Sequence, residues 1–368
     1  MSNACDTREN MSFSAKNRIL VVGAGHMGIS HARAYAKLSG FEICGVVTRT
    51  RRSSQAMVDE LGPFPQFTDF EHALVETKPD SVSISSYTET HHPFTMAALE
   101  AGCHVFVEKP LAENVENAQE IADKAKEVNR KVVVGYILRH HPSWIKFIEI
   151  ARTMGTPLVM RMNLNQQSKG DNWKTHKNLM KSTSPIVDCG VHYVDVMCQM
   201  TRSTPVRVHA VASRLSDEIA TDMYNYGVLN IQFKDGSSGW YEAGWGPMMS
   251  ETAFFVKDAI GPCGCVSIVA DEMEKTDSDD VDSHCKTNLL KVHHAQLTEE
   301  GEFALEDELI STEDEPGHDE LCEREQAYFL KTIREDINLT DHLRDAVNSL
   351  AIVLAADQSY REARAVEL

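Results

Sequence analysis

Arg18-Ile-Leu-Val-Val-Gly23-Ala-Gly25-His-Met-Gly28 decides how the rest of the chain is read. Ile19 to Val22 form a short run of apolar residues with no polar alternation, as in a strand covered on both faces. Three glycines in G-x-G-x-x-G spacing follow it and open a helix. In that setting Gly23 permits the tight turn, Gly25 lets backbone amides approach a pyrophosphate, and Gly28 lets helix and strand pack closely. Ala24, His26 and Met27 share the loop and count among its expected cofactor contacts. Three glycines needed only for a turn would not require the strand before them or the helix after.

Working outward, Arg18 to about Gly135 alternates short apolar runs with helical stretches, the pattern of parallel strands joined by crossover helices. Strands are expected at Ile19–Val22, Ile43–Val47, Val82–Ser85, Val105–Val107 and Val132–Val134. Helices are expected at Ile29–Leu38, Ser54–Leu61, Phe94–Ala101 and Val115–Val128. After Pro142 and one more helix through Ile150, longer segments rich in Val, Tyr, Phe and Thr suggest an open, mainly antiparallel sheet. Its strands are Leu158–Gln166, Val206–Arg214, Tyr224–Phe233, Ser238–Ala243, Ala253–Lys257 and Cys265–Ala270, with 234–237 as a hairpin turn. Helices Asp319–Glu335 and His342–Ala363 close the chain, the second capped by Thr340 or Asp341. The expected class is therefore α/β: a doubly wound parallel sheet over 17–140 and a second α/β domain with an open sheet over 141–368. A loose arm occupies 1–16, and the C-terminal helices are placed to pack back on the first domain.

The chain has 368 residues, 42% of them hydrophobic and 25% charged, the balance of a globular protein long enough for two domains. No apolar run approaches the ~18 residues of a membrane span, and the polar first 16 residues lack a signal-peptide core, so a cytoplasmic protein is expected. Nine scattered cysteines without a C-x-x-C pair resemble reduced thiols better than a disulfide framework or zinc site. The net charge of −19 argues against nucleic acid. Most of it is local: 271–320 holds 18 acidic residues against three lysines, and the run 277–282 reads as a solvated loop without the glycine and terminal glutamate of an EF-hand. The histidine pairs at 91–92, 140–141 and 293–294 lack carboxylate or thiol partners, so no metal is expected.

Past the second strand, where an acidic residue would accept bonds from the ribose of NAD, stand Thr48, Arg49, Thr50, Arg51 and Arg52. Guanidinium groups there suit a 2′-phosphate, so the stretch favours NADP over NAD, with Thr48, Arg49 and Arg52 as contacts. Ser85, Ser86, Tyr87 and His91 follow the strand Val82–Ser85 and face the crevice where a parallel sheet binds ligands. Glu108-Lys109-Pro110 closes the next strand at the same edge. An ammonium there can stabilise an alkoxide, although a lysine merely paired with Glu108 fits the residues equally well. Asp188, His192 and Asp195 have helical spacing behind a Ser184 cap and Pro185, which suits an imidazole oriented by Asp188. A histidine satisfied structurally between carboxylates is the plainer alternative.

These pieces, in this order, resemble the Gfo/Idh/MocA family. The resemblance rests on Gly23–Gly28, on Ala97 to Pro110 ending Glu-Lys-Pro, on Val134 to Pro142, and on Asp188 to Asp195, and it covers nearly everything after Lys16. It implies a Rossmann domain followed by an α/β domain whose sheet packs subunits into homodimers or homotetramers. It also implies an NAD(P)-dependent dehydrogenase or reductase acting on a sugar, sugar derivative or cyclitol, with Lys109, Asp188 and His192 at the catalytic positions. Glu108 and Lys109 also neighbour the cofactor, and Tyr136, Arg139, Trp173, His176 and Trp245 are expected at the substrate. Lys174, Tyr224 and Glu242 are further candidate sugar contacts. Glycoside cleavage with a retained NAD and a catalytically silent dinucleotide sensor are the rival functions. Two stretches depart from the family pattern: Ser86-Tyr87-Thr88 replaces Thr-Pro-Asn, and 181–185 replaces a glycine-rich segment.

Overall fold

The computed structural model describes residues 16–250, 256–269, 287, 289–312 and 315–368. Strands β1 (Asn17–Val22), β2 (Phe41–Val47), β3 (Gln66–Phe67), β4 (Ser81–Ile84), β5 (His104–Val107) and β6 (Val132–Val134) form a parallel sheet in the order 3-2-1-4-5-6. Helices α1 (His26–Lys37), α2 (Arg51–Leu61), α3 (Phe70–Thr77), α4 (His91–Glu100) and α5 (Val115–Glu127) connect them. Strand order reverses between β1 and β4, and the crevice at their carboxyl ends is where such sheets bind dinucleotides. Both faces are covered, which is why Ile19, Leu20, Val21, Val105, Phe106 and Val107 are all fully buried.

After α6 (Pro142–Thr153), β7 (Val159–Gln167) starts a second sheet; α7 (Gly170–Leu179), α8 (Pro185–Asp188) and α9 (Gly190–Thr201) follow it in the chain. The sheet continues through β8 (Pro205–Ser213), β9 (Tyr226–Phe233), β10 (Ser238–Gly246), β11 (Lys257–Gly261), β12 (Gly264–Val269), β13 (Leu289–His294) and β14 (Glu308–Ser311). Helices α10 (His318–Arg334) and α11 (Thr340–Glu362) precede β15 (Val366–Glu367). The order among the described residues is 14-13-12-11-7-10-9-8-15, antiparallel throughout except for the β7–β10 pair. One face carries α9 and α11, and the burial of β9 and β12 alternates accordingly. The α/β class with two sheets, one parallel and one mainly antiparallel, is thus present.

Several expected elements differ in detail. The strand expected at Ala253–Lys257 lies instead at Lys257–Gly261, with 253–255 outside the described residues, as are Ala270 and the acidic run 277–282. β9 begins at Tyr226 rather than Tyr224, whose hydroxyl is drawn away to Ser184 and Asp357. α11 is not capped by Thr340 or Asp341: Thr340 is its first residue, and Asn338 Oδ1 accepts the Thr340 N–H at 2.8 Å. The hairpin at 234–237 forms as expected, with Gly236 at φ 87° and Asp235 accepting the Ser237 N–H.

Helix α10 lies against α1 through Tyr35, Phe329 and Leu330. From α11, His342 Nε2 accepts the β6 amide of Val134 at 2.8 Å, and Tyr136 OH bonds Ser349 Oγ at 2.8 Å. The last two helices therefore complete the covering of the first sheet.

Candidate active site

The glycine loop is shaped by what a side chain would strike. Gly23 has φ 97°, and a Cβ there would overlap the carbonyl of Ser85; a Cβ on Gly28 would overlap the carbonyl of Gly23. Around Gly25 nothing lies within 4 Å. Gly25 also caps α1 without a side-chain bond, so the first amides of the helix keep their hydrogen-bonding capacity. Close packing at two glycines and open space at the third is the geometry a pyrophosphate requires. Ala24, His26 and Met27 complete this loop, with His26 exposed.

Strand β5 delivers Glu108 and Lys109 to the same edge, because the Glu108 N–H bonds the Ile84 carbonyl at the end of β4. Lys109 Nζ then reaches across to the second half of the chain. It donates to the Asp188 backbone oxygen at 3.0 Å and to Asp188 Oδ1 at 3.2 Å. Burial opposes the charge on Lys109, yet Asp188 foremost and Glu108 as well hold its pKa above the usual lysine value. Burial likewise opposes ionisation of Asp188, and the facing ammonium overcomes it, so the pair stays charged.

His192 is close enough to feel both charges. Burial, then Lys109, lower its pKa to about 3, so the imidazole is neutral. Its ring meets Tyr136 edge-on at 5.9 Å, and its buried Nδ1 has no protein partner. The expected Asp188–His192 hydrogen bond does not form: the Asp188 carboxylate is taken by Lys109. The reason is a break in the backbone, since α8 ends at Asp188 and α9 starts at Gly190, so the two residues do not share one continuous helix. Ser184 caps α8 as expected, accepting the Val187 N–H at 3.2 Å, and Pro185 opens it.

The remaining candidates divide. His176 stacks on Trp245 with ring centres 4.5 Å apart, Trp245 Nε1 donates to Gln166 Oε1 at 2.6 Å, and Cys189 Sγ lies 3.5 Å from that same oxygen. Cys189 Sγ also lies 3.7 Å from Asp188 Oδ2, so the layer adjoins Asp188 through that thiol. Burial lowers the His176 pKa to about 4, and its Nδ1 is also buried and unpartnered. Trp173 packs beneath the layer with Met180, Cys189 and Trp245, its Nε1 on Glu218 at 3.1 Å. Arg139 is not presented to a ligand: it is bidentate on Asp195 at 2.8 and 2.5 Å and touches Asp345. A buried carboxylate pair is the stronger claimant on a guanidinium. Tyr136 spends its hydroxyl on Ser349 and offers only its ring to His192.

On the nucleotide side, Ser85 Oγ is buried without a partner, while Ser86 Oγ bonds Thr90 at 2.6 Å. His91 is buried with Nδ1 2.7 Å from the Pro110 carbonyl and Nε2 3.2 Å from that of Ser86, so it fastens the loops behind the crevice rather than lining it. Thr48 turns its hydroxyl to the Thr50 carbonyl. Arg49 lies over the exposed ring of Tyr87 at 5.2 Å, and Arg52 is exposed in the first turn of α2. Among the described residues no group of three metal-ligating side chains occurs, and no helix is long and apolar enough to cross a membrane.

Residues 17–136 match the family model described as an oxidoreductase family with an NAD-binding Rossmann fold, and residues 150–255 match the Gfo/Idh/MocA C-terminal domain. The chain belongs to the Gfo/Idh/MocA family. It is 27% identical over 189 residues to the D-glucoside 3-dehydrogenase of Escherichia coli, a match covering 50% of this chain and 53% of that protein. Against the inositol 2-dehydrogenase of Paracoccus denitrificans it is 27% identical over 184 residues, 49% of this chain and 53% of the relative. The matches thus span about half the length of these relatives. The scyllo-inositol dehydrogenase of Lactobacillus casei, solved with NAD(H) and scyllo-inositol, superposes with a TM-score of 0.76 at 19% identity, over 96% of this chain and 99% of that one. That likeness is one of fold.

In this family member Gln166 and Cys189 escaped the sequence reading. Gln166 is placed by register, since β7 runs parallel to β10 with Gln166 opposite Trp245, and Cys189 by the junction of α8 and α9. No local pattern announces a parallel pair within an otherwise antiparallel sheet.

Proposed function

We propose that the protein is an NAD(P)-dependent oxidoreductase that moves hydride between nicotinamide and a secondary hydroxyl, or the corresponding ketone, of a sugar, sugar derivative or cyclitol. The observation that supports this reading is the 3.2 Å contact of Lys109 with Asp188, which sets the strand-end lysine against the segment that leads into the His192 helix. Gly23, Gly25, Gly28 and the open amides of α1 would hold the dinucleotide, with Ser85, Ser86 and Tyr87 beside it. Bound there, the dinucleotide supplies the hydride acceptor or donor. Lys109 donates a hydrogen bond to the reacting oxygen and stabilises negative charge on it. His192, neutral and with a ring nitrogen that no protein group occupies, takes the hydroxyl proton. Asp188 keeps the ammonium aligned, and the His176–Trp245 layer offers a flat wall with a polar edge to a polyol ring.

Lys109→Ala tests the reading directly. Kd for NADH or NADPH, followed by fluorescence, should stay within about threefold, while turnover on a panel of sugars and inositols falls by at least about 100-fold. Unchanged turnover would remove the proposed role.

The cofactor reading favours NADP. α2 opens on Arg51 and Arg52 with no acidic residue in its first turn and no side-chain cap at Thr50. Cations at a helix N-terminus oppose the helix dipole unless an anion joins them. Arg49→Ser should weaken NADPH binding about tenfold and leave NADH within about threefold; equal losses for both would favour NAD.

A further inference from the structure

A buried chain of polar groups runs behind Lys109. Tyr35 OH donates to Gln326 Oε1 at 2.7 Å, which leaves the amide nitrogen of Gln326 facing His31 Nδ1 at 2.9 Å. An amide nitrogen only donates, so His31 Nδ1 accepts and the ring proton sits on Nε2. That nitrogen donates to Glu108 Oε1 at 2.6 Å, and Glu108 Oε2 accepts the backbone N–H of Lys109 at 3.2 Å. Every donor therefore points towards one carboxylate. Tyr35, His31 and Gln326 are at most 1% exposed, and Glu108 8%. Room for the carboxylate depends on Gly135, where a Cβ would stand 3.1 Å from it.

Holding α10 to the first sheet does not require this chain, because Phe329 stacks on Phe41 of β2 at 6.2 Å and Leu330 packs beside them. Apolar side chains would serve that contact at lower desolvation cost. Burial works against the charge on Glu108, but His31, assisted by Lys109 and His192, holds its pKa below the usual value. Glu325, next to Gln326 and 1% exposed, has an oxygen with no partner; burial, and then the charge of Glu108, keep it protonated. One negative charge thus faces Lys109 from this side and Asp188 from the other.

We propose that Gln326, His31 and Glu108 are positioning residues, a relay through which α10 sets the orientation and the protonated state of Lys109. The proposal rests on the reading of Lys109 as the cation of the site, and its chemical class is a directional hydrogen-bond chain ending on a carboxylate.

The test measures the lysine itself. The full chain is treated with limiting acetic anhydride across a pH series, and acetylation of Lys109 is followed by peptide mass spectrometry, with exposed Lys126 as internal reference. Glu108→Gln removes the facing charge, so the Lys109 pKa falls and labelling below the midpoint rises by roughly three- to tenfold. Gln326→Leu leaves the carboxylate but loosens its donor, and should raise labelling in the same direction by roughly threefold. Gln326→Met, which keeps the chain length, serves if the leucine variant does not fold. Labelling of Lys109 that is unchanged in Glu108→Gln and in the folded Gln326 variant overturns the relay while leaving the proposed reaction intact. Unchanged turnover of Lys109→Ala would remove that reaction without moving the labelling result.

Discussion

At the scale of single residues, Gly23 and Gly25 carry different burdens although they stand two apart. Gly23 has a positive φ and no space for a Cβ, whereas Gly25 has open space and an ordinary φ. Gly23→Ala should therefore destabilise the fold by about 2 kcal/mol or more, through strain and displacement of Ser85. Gly25→Ala should leave stability within about 0.5 kcal/mol while weakening NAD(P)H binding at least tenfold, because its methyl would occupy the space we assign to the pyrophosphate. Thermal unfolding and a fluorescence titration on the two variants separate the effects; equal stability of both would contradict the strain argument.

Helix α8 is only four residues long and owes its place to its cap. Ser184 Oγ accepts the Val187 N–H, donates to Asp357 Oδ1 at 2.8 Å, and accepts from Tyr224 OH at 2.9 Å. Ser184→Ala removes all three and leaves a buried carboxyl and phenol with fewer partners. We expect a loss of about 1–3 kcal/mol in denaturant unfolding, together with reduced turnover as Asp188 drifts from Lys109; an effect under about 0.5 kcal/mol would show the cap to be dispensable. Ser184 and Pro185 were readable as a helix start from the sequence. The break at Cys189 was not, because Asp188, His192 and Asp195 keep helical spacing across it. The same limit explains why β3 and β15, of two residues each, were not foreseen: their existence is decided by neighbours rather than by pattern. The places of the glycine loop and of Lys109 in the fold were legible because each follows a strand end. Arg139 was misread because its partners, Asp195 and Asp345, are 56 and 206 residues away in the chain.

For the molecule as a whole, the histidines set the response to acid. Burial is the first cause that lowers His104 to about 4, His140 to about 3, His141 to about 4, His176 to about 4 and His192 to about 3. In the unfolded chain each takes a proton near 6.5. Between those values the unfolded state binds more protons, so stability falls as pH drops from about 6.5 towards 4. The loss should be on the order of 1 kcal/mol per pKa unit for each of these imidazoles. Glu315 acts oppositely: burial raises it to about 7, so its contribution is present below about 4.5 and is lost as pH rises through 7. The unfolding temperature should thus decline steeply on the acid side, and a profile flat from pH 7 to 4 would contradict the neutral-histidine assignment.

The placement of α10 and α11 has a consequence for how the protein comes to exist. The first sheet is made from the first third of the chain, yet its β6 amide at Val134 waits for His342, and Glu108 waits for Gln326. During synthesis the nucleotide-binding half leaves the ribosome long before the helices that seal it, and must persist as an incomplete layer until the final residues arrive. A shortened chain ending before α10 would keep the glycine loop in its sequence but lack the seal, and would be a target for proteolysis rather than a working fragment.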